Sequence, residues 1–251
     1  MPQWLQAGGW GLLAGSALVL GAAIGFLVRV PQKLVASVMA FGAGVLLSAV
    51  AFELIGEADE QGGLLPTAVG AAVGACLYTG CNLLLARRGA RHRKRSGDQQ
   101  PSEQEQSGSG TAIALGALLD GVPESIVIGA SLLGGGAVGV ATVAAVFISN
   151  VPEGLSSAAG MRKAGRGKRY VFGLWTGIAL VSALAAIAGY TVLGDAPAEV
   201  LAGITALAAG AILAMVTDTM IPEAFEDAHL LIGLIAVAGF LSAFALSAHA
   251  G

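Results

Sequence analysis

The sequence predicts an all-α membrane protein of eight transmembrane helices, and three observations lead there. Hydrophobic residues make up 55% of the 251 and charged residues 12%, about half the ~25% charged share of a soluble domain. The chain repeatedly runs for about 20 residues with few or no charges, the length a helix needs to cross a hydrocarbon core of ~30 Å. Its basic residues are confined to a few connections between those runs, the bias that orients membrane helices.

The apolar runs are 8–28, 34–55, 64–86, 111–133, 137–159, 171–193, 200–221 and 230–248. No Lys or Arg precedes the first, so it is read as a retained helix and not a cleaved leader. All 13 basic residues fall in three connections: Arg29 and Lys33; Arg87, Arg88, Arg91, Arg93, Lys94 and Arg95; Arg162, Lys163, Arg166, Lys168 and Arg169. With eight spans these share one face, which the Lys and Arg bias makes cytoplasmic. Two opposite connections carry Glu57, Asp59, Glu60, Asp195 and Glu199 and no base. An even number of spans then puts both termini outside. The last connection holds Glu223, Glu226, Asp227 and His229, again without a base.

The chain reads as a single transmembrane domain over 1–251: helices one to three at 8–86, a flexible cytoplasmic loop at 87–110, two core helices at 111–160, and helices six to eight at 171–248. The loop is basic first and then rich in Gln, Ser, Gly and Glu, a composition that cannot bury enough apolar surface to order itself. Its basic half serves as a topology signal and could touch anionic headgroups. Cys76 and Cys81 match no metal-binding spacing. The 38 glycines lie mostly inside the spans, where small residues let helices approach closely.

The informative residues are acids in the apolar runs. Asp120 and Glu124 lie in the fourth and Glu153 in the fifth. Each mid-membrane charge costs ~2.5 to 3.5 kcal/mol, so three cost on the order of 10 kcal/mol unless neutralised. No Lys or Arg lies inside any run, so the acids are expected either to be protonated or to hold a bound cation. Asp120 and Glu124, at i and i+4, share a helix face, and Ser149 and Asn150 share that of Glu153. A proline precedes each glutamate, in Gly-Val-Pro-Glu at 121–124 and Asn-Val-Pro-Glu at 150–153. Each proline frees the carbonyl four residues earlier, at Leu119 and Ile148. Broken helices with exposed carbonyls near the midplane are a recurrent way to build an ion site. The two motifs sit on adjacent antiparallel spans, and a weaker echo links Glu-Leu-Ile-Gly-Glu-Ala at 53–58 with Thr-Met-Ile-Pro-Glu-Ala at 219–224. The order is therefore 3+2+3, an inverted repeat of the kind associated with alternating access. Glu53 and Asp218, near span ends, are candidate gate or relay residues.

These motifs resemble those of the ZIP (Zrt- and Irt-like protein) metal transporters. Asp120-Gly-Val-Pro-Glu124-Ser and Ser149-Asn150-Val-Pro-Glu153-Gly are similar to that family's His-Asn-x-Pro-Glu-Gly and x-x-x-Pro-Glu-Gly signatures, and the resemblance covers essentially the whole chain. It implies eight helices, outward termini and a variable cytoplasmic loop after the third. It also implies a metal site at Asp120, Glu124 and Glu153, with Asn150 and Ser149 as neighbouring ligands. Asp120 stands where the family has histidine, Gly121 where it has asparagine, and Ser182 where it has a helix-six glutamate, which argues for one site and not two. All these ligands are hard oxygens, suited to Mn²⁺, Mg²⁺ or Ca²⁺ and accepting Fe²⁺ or Zn²⁺; the resemblance puts zinc first.

The expected function is uptake of a divalent metal toward the cytoplasm, weakening in acid because protons compete for the carboxylates. The alternative is a proton-coupled carrier of a small solute using the same acids. An enzyme is not expected, since the chain lacks Gly-x-Gly-Asp and His-Glu-x-x-His motifs. No cofactor and no nucleic-acid partner are expected. The partners are the metal substrate and the lipid bilayer of the cell (plasma or inner) membrane; a homodimer is compatible with the sequence.

Overall fold

The protein is described by a computed structural model covering residues 1–133, 139–226 and 231–250. Asp227, His229 and the expected starts of two spans, at 137 and 230, lie outside the described residues. All regular structure among the described residues is helical. The long segments are α1 (Gln3–Leu27), α2 (Gln32–Gly62), α3 (Leu64–Ala90), α4 (Ser109–Ala130), α5 (Val140–Lys163), α6 (Lys168–Leu193), α7 (Ala198–Glu226) and α8 (Ile232–Ala250).

Local chemistry sets the ends. Pro2, Pro31 and Pro197 immediately precede α1, α2 and α7, where a fixed φ favours helix entry and the missing N–H costs nothing. Gly63, at φ 78°, separates α2 from α3, and Gly89, at φ 100°, turns the chain at the end of α3. Both conformations are ones that L side chains resist.

Six helices, α1, α2, α3, α4, α6 and α7, are long and apolar enough to cross a membrane. A multi-pass membrane protein requires such helices. The helix α5 is as long but more polar, because Ser149, Asn150, Glu153, Ser156 and Ser157 lie along it, all buried. Shorter than the rest is α8, with an apolar stretch over Ile232–Ala248.

Helices α2 and α7 run on past the expected boundaries at 55 and 221. Wider π turns at Ala49–Ile55 and Val216–Met220 carry each of them into a polar final segment. The expected breaks at the two prolines are not seen, since α4 continues through Pro123 and α5 through Pro152. A single lost backbone bond does not break a helix that its neighbours hold on several sides.

The packing pairs are α1 with α5 and α6, α2 with α5 and α8, α3 with α7, and α4 with α6. Glycine sets the closest approaches. A Cβ on Gly21 would stand 2.1 Å from the Val151 carbonyl oxygen, and one on Gly154 2.2 Å from that of Leu18, so α1 and α5 meet backbone to backbone. In lipid, where apolar burial between helices gives no gain over lipid contact, such close packing supplies the attraction. Leucines such as Leu64, Leu77, Leu84 and Leu234 are exposed on the outside of the bundle, as a lipid-facing surface requires.

The three basic connections meet at one end. Arg162 Nη1 donates to the carbonyls of Phe26 (2.8 Å) and Val28 (3.0 Å). Arg166 reaches Glu103 (3.2 Å) and Lys163 reaches Asp98 (3.7 Å).

At this same end the structure differs from the flexible loop expected at 87–110. Residues 91–108 pack against the bundle, with Arg93, Lys94, Ser96 and Gln100 buried. The physical reason is electrostatic: the segment lacks apolar surface, but it carries the cations and amide donors that buried acids and carbonyls in the helices need.

Candidate functional site

The continuity of α4 and α5 fixes the acids' positions. Asp120, Glu124 and Glu153 are only 4%, 2% and 4% exposed, well below what a solvated carboxylate would show. The sequence offers no cation within an apolar run, and that remains true. The countercharge instead comes from the 91–108 segment, which enters from the basic end.

Arg93 meets Asp120 side on. Its Nε donates to Oδ2 (2.9 Å) and its Nη2 to Oδ1 (2.8 Å), a paired geometry that only a guanidinium provides. The remaining donors reach the Tyr78 hydroxyl (2.7 Å), Asn82 Oδ1 (2.7 Å) and the Ala90 carbonyl (3.4 Å). All five N–H groups of the fork thus have acceptors. Tyr78 in turn donates to Asp120 Oδ1 at 2.8 Å.

Lys94 bridges the two acid-bearing helices. Its Nζ lies 2.8 Å from Glu153 Oε2, 3.5 Å from Asp120 Oδ2 and 2.9 Å from Met215 Sδ. Asp120, Asn150 and Glu153 line, with Arg93, Lys94 and Trp175, a cavity of about 10 Å³, room for one water at most. Glu124 stands apart: its Oε1 and that of Glu153 are buried without a hydrogen-bond partner among the described residues.

The other expected ligands turn elsewhere. Ser149 Oγ donates to the Val146 carbonyl at 3.0 Å within its own helix. Asn150 Nδ2 donates to the Ala14 carbonyl at 2.9 Å and ties α5 to α1. Both satisfy backbone acceptors, the ordinary task of polar residues between membrane helices. Glu53 is half-buried in the π turn of α2, and Asp218 is exposed. Ser182 is buried. Among the described residues no three His, Cys, Asp or Glu side chains gather into a group able to hold a metal ion. Ammonium and guanidinium groups stand among the carboxylates.

A second cluster holds the cationic segment in place, and sequence reasoning missed it. Glu223, placed by the sequence in the last connection, is 1% exposed. Its Oε1 accepts from the Ser96 backbone N–H (2.9 Å), the Ser96 hydroxyl and the Ser156 hydroxyl (2.8 Å). Ser156 Oγ also lies within hydrogen-bond distance of the Lys94 carbonyl, at 2.6 Å. Gln100 Nε2 donates to the carbonyls of Arg93 (3.1 Å), Arg95 (2.9 Å) and Ser157 (3.0 Å). Arg95 pairs with Glu226 and donates to the Pro222 carbonyl at 2.9 Å. One signal for this existed in the sequence: three buried acids demand countercharge, and the nearest long basic run in the chain is Arg87 to Arg95.

Beside Lys94 a cavity of about 250 Å³ is lined by Arg91, His92, Arg95, Asp218, Thr219 and Pro222. Burial, then the neighbouring Arg91 and Arg95, hold the His92 imidazole below its ordinary value. Compared with the models of known protein families and with curated proteins, the chain matches none.

Proposed function

We propose that the chain is a multi-pass transporter of divalent metal cations, similar to the ZIP transporters, moving its substrate toward the cytoplasm past Asp120, Glu124 and Glu153. The observation that carries this reading is the charge balance of the buried site. Two of the three buried carboxylates, Asp120 and Glu153, face two fixed positive charges, from Arg93 and Lys94, the charge that one divalent cation would supply. Two carboxylate oxygens, on Glu124 and Glu153, remain free to coordinate. With only oxygen donors the site suits Mn²⁺ and also accepts Fe²⁺ or Zn²⁺; the family resemblance puts zinc first.

In this reading α5 and α8 complete eight spans, the basic end is cytoplasmic, and both termini face outward. The meeting of the three basic connections supports that orientation. The π turns at corresponding places in α2 and α7 support the 3+2+3 inverted repeat.

A second reading, a proton-coupled carrier of a small solute, is favoured by Glu124. Among the described residues this acid has no ion-pair partner, so the cluster as it stands has room for one proton. Uptake of ⁵⁴Mn²⁺ and ⁶⁵Zn²⁺ into proteoliposomes separates the two. Metal flux that Glu124→Gln and Glu153→Gln abolish is the expected result; undiminished flux in both variants, or proton flux with no metal flux, refutes the metal reading.

A further inference from the structure

We propose that residues 91–100 form a removable plug, with Arg93 and Lys94 acting as tethered counter-cations that hold the acid site closed until a divalent cation displaces them. The proposal rests on the transport reading above and adds its regulation.

Four features converge on a part built to come out. Gly89, at φ 100°, turns the chain away from the α3 axis just before the plug, so the segment is not a continuation of that helix. Lys94 lines both the small acid cavity and the 250 Å³ cavity beside Arg91 and Asp218. It therefore borders both, and in this proposal its withdrawal opens the way between them.

The helices are also shaped around the plug. A Cβ on Gly116 would stand 2.5 Å from Arg93 Cδ, and one on Gly160 would stand 2.1 Å from the Arg95 carbonyl oxygen. Neither contact is tolerable, so the two glycines make a cradle for this segment.

The latch, finally, fastens the plug to two helices where they are themselves joined, since the Ser156 hydroxyl of α5 lies 2.8 Å from the Glu223 carboxylate of α7. Ser156 and Ser157 on α5 hold the Lys94 carbonyl and Gln100, while Glu223 on α7 holds Ser96. Ser156 and Ser96 converge on the same Glu223 oxygen. Any shift of α5 against α7 strains both halves together, which couples plug release to a movement of the helix bearing Glu153.

Charge explains the trigger. A divalent cation replaces both fixed positive charges at once, so the acids are never left bare. Loss of either cation alone would strand a buried carboxylate, a costly intermediate. Plug exit and metal entry thus form one exchange.

The test is hydrogen exchange of the 90–100 amides in lipid nanodiscs, with and without Mn²⁺, together with ⁵⁴Mn²⁺ flux in proteoliposomes. Saturating Mn²⁺ should deprotect these amides in the wild-type chain. Gly160→Ala should deprotect them without metal and raise flux. Ser156→Ala, which preserves the fold more gently while deleting the one hydrogen bond this hydroxyl can donate to the latch, should raise flux and amide exchange by roughly fivefold. Amides that stay protected while wild-type protein carries Mn²⁺ overturn the plug and leave the transport reading standing. Deprotected amides in both variants with no flux in any protein overturn the transport reading, and the plug's role with it.

Discussion

Removing Lys94 is the most direct probe of the buried site. In Lys94→Met the Glu153 carboxylate loses the ammonium 2.8 Å away, while Asp120 keeps the paired Arg93 contacts. Stripping one partner from a buried pair costs about 3 to 5 kcal/mol. Because Glu153 can relieve the strain by taking up a proton, the loss should fall near 3 kcal/mol. Glu153→Gln alone should cost less, since Lys94 retains Asp120 at 3.5 Å. The double variant should recover much of the Lys94→Met loss, giving a coupling of about 2 to 3 kcal/mol, at the upper end of the range for residues in contact. Metal adds a second readout. At a hundredfold excess over its dissociation constant, Mn²⁺ should return about 2.7 kcal/mol to Lys94→Met, and less to the wild-type chain, where Lys94 competes. The assay is reversible unfolding in mixed micelles, with each variant measured with and without Mn²⁺. A loss in the double variant equal to the sum of the two single losses would show that the pair carries no coupling and would refute the reasoning.

Two further outcomes are expected away from the acids. Gly154→Ala forces a Cβ to within 2.2 Å of the Leu18 carbonyl oxygen and should cost about 1 to 3 kcal/mol by separating α1 from α5; Gly177→Ala, with open space around it, should be neutral or stabilising in the same unfolding assay. The outer part of the 91–108 segment should loosen in acid. Hydrogen bonds from the Gly108 and Gly110 backbone N–H groups, then Arg166, hold the Glu103 carboxyl below its ordinary value. A depressed carboxyl stabilises the folded state above its unfolded value and loses that effect as pH falls through the folded one. Protection factors at Gly108 and Gly110 should therefore drop in acid and should be low and unresponsive to pH in Glu103→Gln; a wild-type profile in that variant would rule the anchor out.

Hydropathy marked the helices well because their length and apolar content are local properties. The runs at 8–28, 111–133 and 171–193 each correspond to a helix within a few residues. The extensions of α2 and α7 were missed because Glu57, Asp59, Glu60 and Glu223 look like connection residues, whereas π turns continue the backbone beneath them. Asp120, Glu124 and Glu153 were legible as buried because their neighbours are apolar and their spacing puts them on helix faces. Ser149 and Asn150 shared the right face, yet their partners are carbonyls of Val146 and Ala14. Spacing alone does not choose between a backbone acceptor and a ligand.

What the sequence determined by itself was therefore the solvent, the helices and the need for positive charge beside three acids. The tertiary structure decided where that charge comes from. Arg93 and Lys94 sit in a polar stretch that composition assigns to water, and they reach Asp120 and Glu153 only because the chain doubles back after Gly89 and is fastened by Glu223. Electrostatic pairing acts through space between residues far apart in the chain. No local pattern of hydropathy encodes which buried carboxylate a surface-looking lysine will meet.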